Sequence, residues 1–182
     1  RESPHAVIVV GAGPAGSTAA FYIADEPSLD VLIVDREAFP RPKVCGGALV
    51  GCRDWGEEFR NYRAAAPIPT GHPVSSMRLS LDRRIWWECH GEHFFDHVQR
   101  DEFDDRLLRA ALARPGVSFR RFHVRSVLRD DDGTVVLSDG DETLRARAVI
   151  GADGVTSRLA RVLGNPPRTL ANAGVCRVHH IE

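Results

Sequence analysis

The chain has 182 residues, with 24 basic against 25 acidic side chains and a formal charge of −1. That balance argues against a dedicated nucleic-acid binder, which needs a net basic footprint for phosphates. Hydrophobic content of 43% with 27% charged residues argues against global disorder, and no run reaches the roughly 20 apolar residues that cross a bilayer.

Residues 6–10, AVIVV, form a continuous apolar run that predicts a strand buried on both faces. Gly11 ends it, and Pro14 sets φ for the first turn of a helix over 15–24. Residues 31–34 predict a second buried strand. The three elements make a βαβ unit and an α/β fold. From Arg36 to about Gly56 the periodicity is lost, and Pro40, Pro42, Gly46, Gly47 and Gly51 mark a long loop. A second broken stretch covers 67–73. Residues 77–81, 85–89 and 94–98 predict three short antiparallel strands.

Residues 101–113 predict an amphipathic helix with Phe103, Leu107, Leu108, Ala111 and Leu112 on one face. Asp101 is its candidate cap and Asp104 falls in its first turn. Strands are predicted at 117–122, irregularly on toward Leu128, at 134–137 and at 143–150. Asp132-Gly133 and Asp139-Gly140 are hairpin turn dipeptides, so this is a β-meander. A short helix follows at 157–163. The whole is expected to be an FAD/NAD(P)-binding, Rossmann-like parallel sheet with an antiparallel meander.

The string Gly11-Ala-Gly13-Pro-Ala-Gly16 lies between the first strand and the first helix, the context that gives it meaning. Gly11 permits the tight turn, Gly13 lets backbone approach a pyrophosphate, and Gly16 lets helix pack on sheet. The helix N-terminus then offers free N–H groups and its positive end to phosphates. Asp35 closes the second strand, 24 positions after Gly11. A carboxylate there accepts ribose hydroxyls and repels a 2′-phosphate, which selects FAD or NAD over NADP. A second glycine turn, Gly151-Ala-Asp153-Gly154-Val-Thr-Ser157, follows another apolar strand, with Ser157 as a helix cap.

Four cysteines, Cys45, Cys52, Cys89 and Cys176, are scattered with no short-spaced pair, which points to a reducing, cytoplasmic compartment. Cys89, His90, His93 and His97 crowd together, but a strand distributes them between faces and their spacing fits no metal motif, so no metal is expected. Trp86 and Trp87 are expected on opposite faces, one in the core and one lining an apolar site. Arg120, Arg121, Arg125 and Arg129 read as a solvated basic face. Every basic residue except Lys43 is arginine.

These three motifs together resemble the FAD-dependent monooxygenase and reductase superfamily, the hydroxybenzoate-hydroxylase-like flavoproteins. The segment Phe39-Pro-Arg-Pro-Lys43-Val-Cys45-Gly46-Gly47-Ala48-Leu49 is similar to the P-x-K-x-C-G-G-A-L region of the geranylgeranyl reductase family, and Arg100 resembles the arginine that the family places before its FDxxL helix. The resemblance runs to about Leu163. It implies Ala15 at the pyrophosphate turn, Asp35 on the adenosine ribose, and Arg36 on adenine or phosphate. It implies Cys45, Gly46 and Ala48 along the flavin, Arg100 toward phosphate and ribitol, Val124 on adenine through its backbone, and Asp153 with Gly154 on the second pyrophosphate and flavin contact. Cys45 is also the one candidate for thiolate catalysis, with cofactor contact favoured.

The resemblance further implies FAD as cofactor, NAD(P)H as electron donor, and reduction of carbon–carbon double bonds in an isoprenoid, with a lipidic small-molecule substrate and peripheral contact with a membrane. A monooxygenase or halogenase on the same scaffold, and a non-catalytic nucleotide-fold binding protein, remain as alternatives. Residues 1–164 are expected to form the FAD-binding domain, with an insertion at about 67–98. Residues 165–182 are expected to be a linker and the first strand of a substrate domain. A chain that opens with Arg1 and ends on a lone strand is expected to be the N-terminal fragment of a longer flavoprotein.

Overall fold

A computed structural model describes residues 4–50, 71–82 and 84–165. The expectations for Cys52, Cys176, residues 51–56 and 67–70, and the linker and strand at 166–182 lie outside the described residues. The elements are β1 (His5–Val10), α1 (Pro14–Ile23), β2 (Val31–Asp35), β3 (Ala48–Val50), β4 (His72–Leu81), β5 (Arg84–His97), α2 (Arg100–Leu112), β6 (Val117–Arg121), β7 (Ser126–Arg129), β8 (Val135–Ser138), β9 (Thr143–Gly151) and α3 (Arg158–Val162). The chain divides into two compact units. One holds residues 4–41 and 104–165, the other 42–50, 71–82 and 84–103 among those described.

The first unit is built on a six-stranded sheet of order β6-β2-β1-β9-β8-β7. β1 pairs in parallel with both β2 and β9, and β2 with β6, while β8 pairs antiparallel with β7 and β9. The apolar run of β1 is thereby explained: a central parallel strand is covered on both faces, and Ile8 and Val9 are each fully buried. Alternate residues serve opposite faces. Ile8, Val10, Leu32 and Val34 join Phe122, Val124, Leu137, Leu144, Ala146 and Leu159 in one core cluster. Val9 faces the other way, toward α1, where Gly16 comes up against it.

β1 is moored at its start by Asp30, whose carboxylate accepts from the Ala6 N–H (2.8 Å) and meets His5 Nδ1 (2.7 Å). Burial pushes the Asp30 carboxyl up, but the Ala6 N–H and His5 outweigh it and hold the group below its ordinary value.

The second unit contains a three-stranded antiparallel sheet of order β3-β5-β4. Three short strands were expected here, and two long ones are found, β4 and β5, with β3 added inside the stretch read as loop. The gap expected between residues 89 and 94 is an irregularity within one strand: Val74 faces Phe95 while Ser76 faces His90, so β5 bulges between those two pairs. His93 Nε2 lies 2.8 Å from Asp96 Oδ1, and Glu88 lies between Arg78 and His90. Trp87 is 43% exposed and faces Leu79 across the hairpin.

α2 begins one residue before the expected start, which places Asp101 inside its first turn, not at the cap. Phe103, Leu107, Leu108 and Ala111 are buried as the helical spacing predicts, whereas Leu112 lies at the rim, 37% exposed. Asp104, expected in the first turn, has no exposure at all. The basic run on β6 and β7 is exposed, with Arg120 paired to Glu142 and Arg121 Nε donating to the Arg36 carbonyl (2.9 Å).

Candidate functional site

The carboxyl ends of β1, β2 and β9 come together in the first unit. Gly11 N–H donates to the Val34 carbonyl (2.7 Å), and Ala152 N–H donates to the Val10 carbonyl (2.8 Å). The two glycine turns singled out in the sequence therefore meet in space. A β-carbon on Gly11 would lie 2.2 Å from the Ala152 carbonyl oxygen, and Gly11 has φ of +105°, a conformation that side chains disfavour. Gly16 is equally constrained: its β-carbon would lie 1.8 Å from the Gly11 carbonyl oxygen. Gly11 and Gly16 are required by the chain's own packing.

Gly13 is different. Its φ of −71° is open to any residue, and the nearest atom to a β-carbon there is a guanidinium nitrogen of Arg41 at 3.6 Å, an ordinary contact. Gly13 is the N-cap of α1 and supplies no side-chain cap, with Pro14 in the first turn and Ala15 exposed beside it. No acidic side chain lies in that turn. The helix thus presents its positive end and first N–H groups with no side chain of its own to answer them.

Asp35 is tied into this corner. Its Oδ2 accepts from the Ala12 N–H (2.8 Å) and its Oδ1 from the Glu37 N–H (3.0 Å). The carboxylate fixes the glycine turn against the end of β2 and keeps further lone pairs on each oxygen. Ser17 Oγ, fully buried, donates to the Ala12 carbonyl (3.0 Å) and fixes the turn from the helix side. Arg36 is well exposed and lies near Glu37 (3.6 Å). Val124 is buried in the core cluster just past the end of β6.

At the second turn, Asp153 Oδ2 accepts from the Arg158 N–H (2.7 Å), while its Oδ1 is buried with no hydrogen-bond partner among the described residues. The Asp153 backbone nitrogen lies 3.0 Å from the point where a Gly11 β-carbon would stand, and an unanswered buried carboxylate oxygen is a group that a ligand hydroxyl or N–H satisfies. Gly154 has φ of +83° with open space where a side chain would stand, and Ser157 caps α3 by accepting from the Ala160 N–H (2.9 Å).

In the second unit, the Gly47 N–H lies 3.4 Å from Cys45 Sγ, Gly46 is open on the side a β-carbon would occupy, and Ala48 begins β3. Gly47, given no site role in the sequence, has φ of +68° and packs so closely on the Val98 carbonyl that a β-carbon would lie 2.2 Å away. Arg100 opens α2. The first unit brings together Gly11, Gly13, Ala15, Gly16, Asp35, Arg36, Val124, Asp153 and Gly154; Cys45, Gly46, Ala48 and Arg100 belong to the second.

The sequence reading also missed a buried ion pair at Gly13. Arg41 Nη2 lies 3.4 Å from Asp104 Oδ2. A signal existed: Asp104 shares the apolar stripe of α2 with Phe103, Leu107 and Leu108, where a carboxylate needs a buried partner.

The family described as lycopene cyclase protein matches residues 6–173. Among curated proteins, the chain is 36% identical to a menaquinone reductase of Mycolicibacterium smegmatis, over 87% of the chain and 39% of that protein. It is 35% identical to digeranylgeranylglycerophospholipid reductase 1 of Methanopyrus kandleri, over 89% of the chain and 43% of that protein. The chain thus spans about two fifths of the length of these relatives. Among solved structures it is similar to the halogenase PltM in complex with phloroglucinol and FAD, with a TM-score of 0.66 and 22% identity, over 88% of the chain and 36% of that one. At that identity the likeness is one of fold.

Proposed function

Because the chain belongs to the lycopene cyclase protein family, we propose that it is the FAD-binding part of an oxidoreductase that reduces carbon–carbon double bonds of an isoprenoid, geranylgeranyl-type substrate, with NAD(P)H as electron donor. The single observation that carries the dinucleotide site is the meeting of the two glycine turns, Gly11 against Ala152, at the carboxyl ends of three parallel strands. The substrate class is supported by the similarity to the two named reductases.

The residues present fit FAD. Gly13 is a glycine with no internal packing reason, and Asp153 Oδ1 is a buried acceptor left unanswered. The uncapped start of α1, at Gly13, Ala15 and Gly16, holds the diphosphate through N–H groups and the helix dipole. Asp35 accepts from the adenosine ribose with the lone pairs that Ala12 and Glu37 leave free. Arg36 and the Val124 backbone border the adenine, and Asp153 with Gly154 takes a donor from the middle of the cofactor. Cys45, Gly46 and Ala48 serve the flavin, where Cys45 acts as a contact, and Arg100 serves the phosphate and ribitol region. When bound, FAD supplies the two-electron hydride chemistry between nicotinamide and alkene. The substrate is a lipidic small molecule reached at a membrane surface, from a cytoplasmic enzyme. Among the described residues no helix is long and apolar enough to cross a membrane.

The test is anaerobic. The intact protein is reduced with dithionite or NAD(P)H, and geranylgeranyl or polyprenyl-quinone compounds are added without oxygen. The oxidised flavin band is expected to return as the alkene is consumed. Return of the band only on admitting oxygen, with substrate hydroxylated or halogenated, would assign a monooxygenase or halogenase. A protein that stays colourless after FAD is added would assign a non-catalytic nucleotide fold.

A further inference from the structure

We propose that Arg41 is a cationic member of the diphosphate site and that Asp104 is a residue that positions it. The inference rests on the FAD reading above and adds to it a residue pair outside the glycine motifs.

Arg41 Nη2 is 3.4 Å from Asp104 Oδ2, with the arginine side chain 14% exposed and the carboxylate fully buried. The guanidinium lies over the Phe39 ring, 4.8 Å from its centroid, and Phe39 packs edge-on against Phe119 of β6. Three side chains thus fix the plane of the group. The same Nη2 lies 3.6 Å from the point where a Gly13 β-carbon would stand. A nitrogen that carries two N–H bonds can serve Asp104 with one and an acceptor above Gly13 with the other.

This placement opposes the local field. Gly13 caps the N-terminus of α1, which has neither a capping side chain nor an acid in its first turn. A cation is disfavoured at that positive end. Holding one there with a buried carboxylate makes physical sense when an anion is shared between helix and guanidinium. Gly13 agrees, because the chain's own packing gives no reason for a glycine there, whereas an anion resting on its α-carbon does. A diphosphate meets all three conditions, and a planar guanidinium can bridge two of its oxygens.

Arg41→Met alone takes a cation away from a buried carboxylate and can fail to fold. The informative variant is therefore Arg41→Met combined with Asp104→Leu, which replaces the pair by apolar groups of similar size. In the intact protein, FAD, ADP and riboflavin are titrated by fluorescence or calorimetry, and folding is followed by circular dichroism. The expected result is a loss of about tenfold or more in affinity for FAD and ADP, with riboflavin, which lacks phosphate, unchanged. Arg41→Lys keeps a charge for Asp104 but loses the fork, and is expected to weaken FAD and ADP several-fold while leaving riboflavin unchanged. It decides the matter if the double variant does not fold. ADP affinity equal to that of the parent in a folded variant overturns the assignment of Arg41 and leaves the FAD reading intact. A parent that binds neither FAD nor ADP overturns the FAD reading, and this inference with it.

Discussion

Gly11→Ala is expected to cost about 2–5 kcal/mol of stability and to remove FAD binding with it. Two effects add. The backbone at +105° is strained for any residue with a β-carbon, at about 1–3 kcal/mol. The new carbon would also lie 2.2 Å from the Ala152 carbonyl oxygen and 2.6 Å from its carbon, so it drives a backbone segment away from β1. Forced overpacking of that kind adds about 1–3 kcal/mol. Urea unfolding checks this, with Gly13→Ala as the control. That substitution has an ordinary φ and an ordinary 3.6 Å contact, so it is expected to cost no more than the roughly 1 kcal/mol of alanine at an N-cap while FAD affinity falls. A Gly11→Ala protein as stable as the parent would mean that the two glycine turns do not touch.

Asp35→Ala carries the second large effect, and it acts on stability and binding together. Ala12 is fully buried and its N–H donates to Asp35 Oδ2 at 2.8 Å. Without the carboxylate that donor is orphaned, at about 1–3 kcal/mol. The ribose hydroxyls lose their acceptor in the same step, so FAD affinity is expected to drop about ten- to a hundredfold. Asp35→Asn retains one carbonyl acceptor and is expected to fall between the two. Denaturant midpoints and FAD titration measured on the same samples separate the two roles. A variant that loses stability but binds FAD as the parent does would confine Asp35 to fastening the turn.

The glycine corners and the acidic strand end were legible in the sequence because each is a local strand–turn–helix signal. Their contact with one another was not, since Gly11 and Ala152 meet only once β9 has paired beside β1. The first job of Asp35 was hidden for a related reason. Composition shows a carboxylate at a strand end, but not that both its oxygens already hold backbone N–H groups. The partnership of Arg41 and Asp104 joins a proline-rich loop to a helix far along the chain, and no periodicity encodes such a pair. On the second unit, the expected strand ends at Cys89 because a bulge and a break look alike until the partner strand is in place.

Both glycine turns are expected to hold one FAD molecule. A crystal structure of the intact protein with FAD tests this directly. The diphosphate is expected over Gly13 and Ala15 within hydrogen-bond distance of the α1 N–H groups and of Arg41. The adenosine ribose is expected on Asp35, and a cofactor donor on Asp153 Oδ1. A dinucleotide bound elsewhere, or a corner closed by its own side chains while FAD is present, would contradict the account.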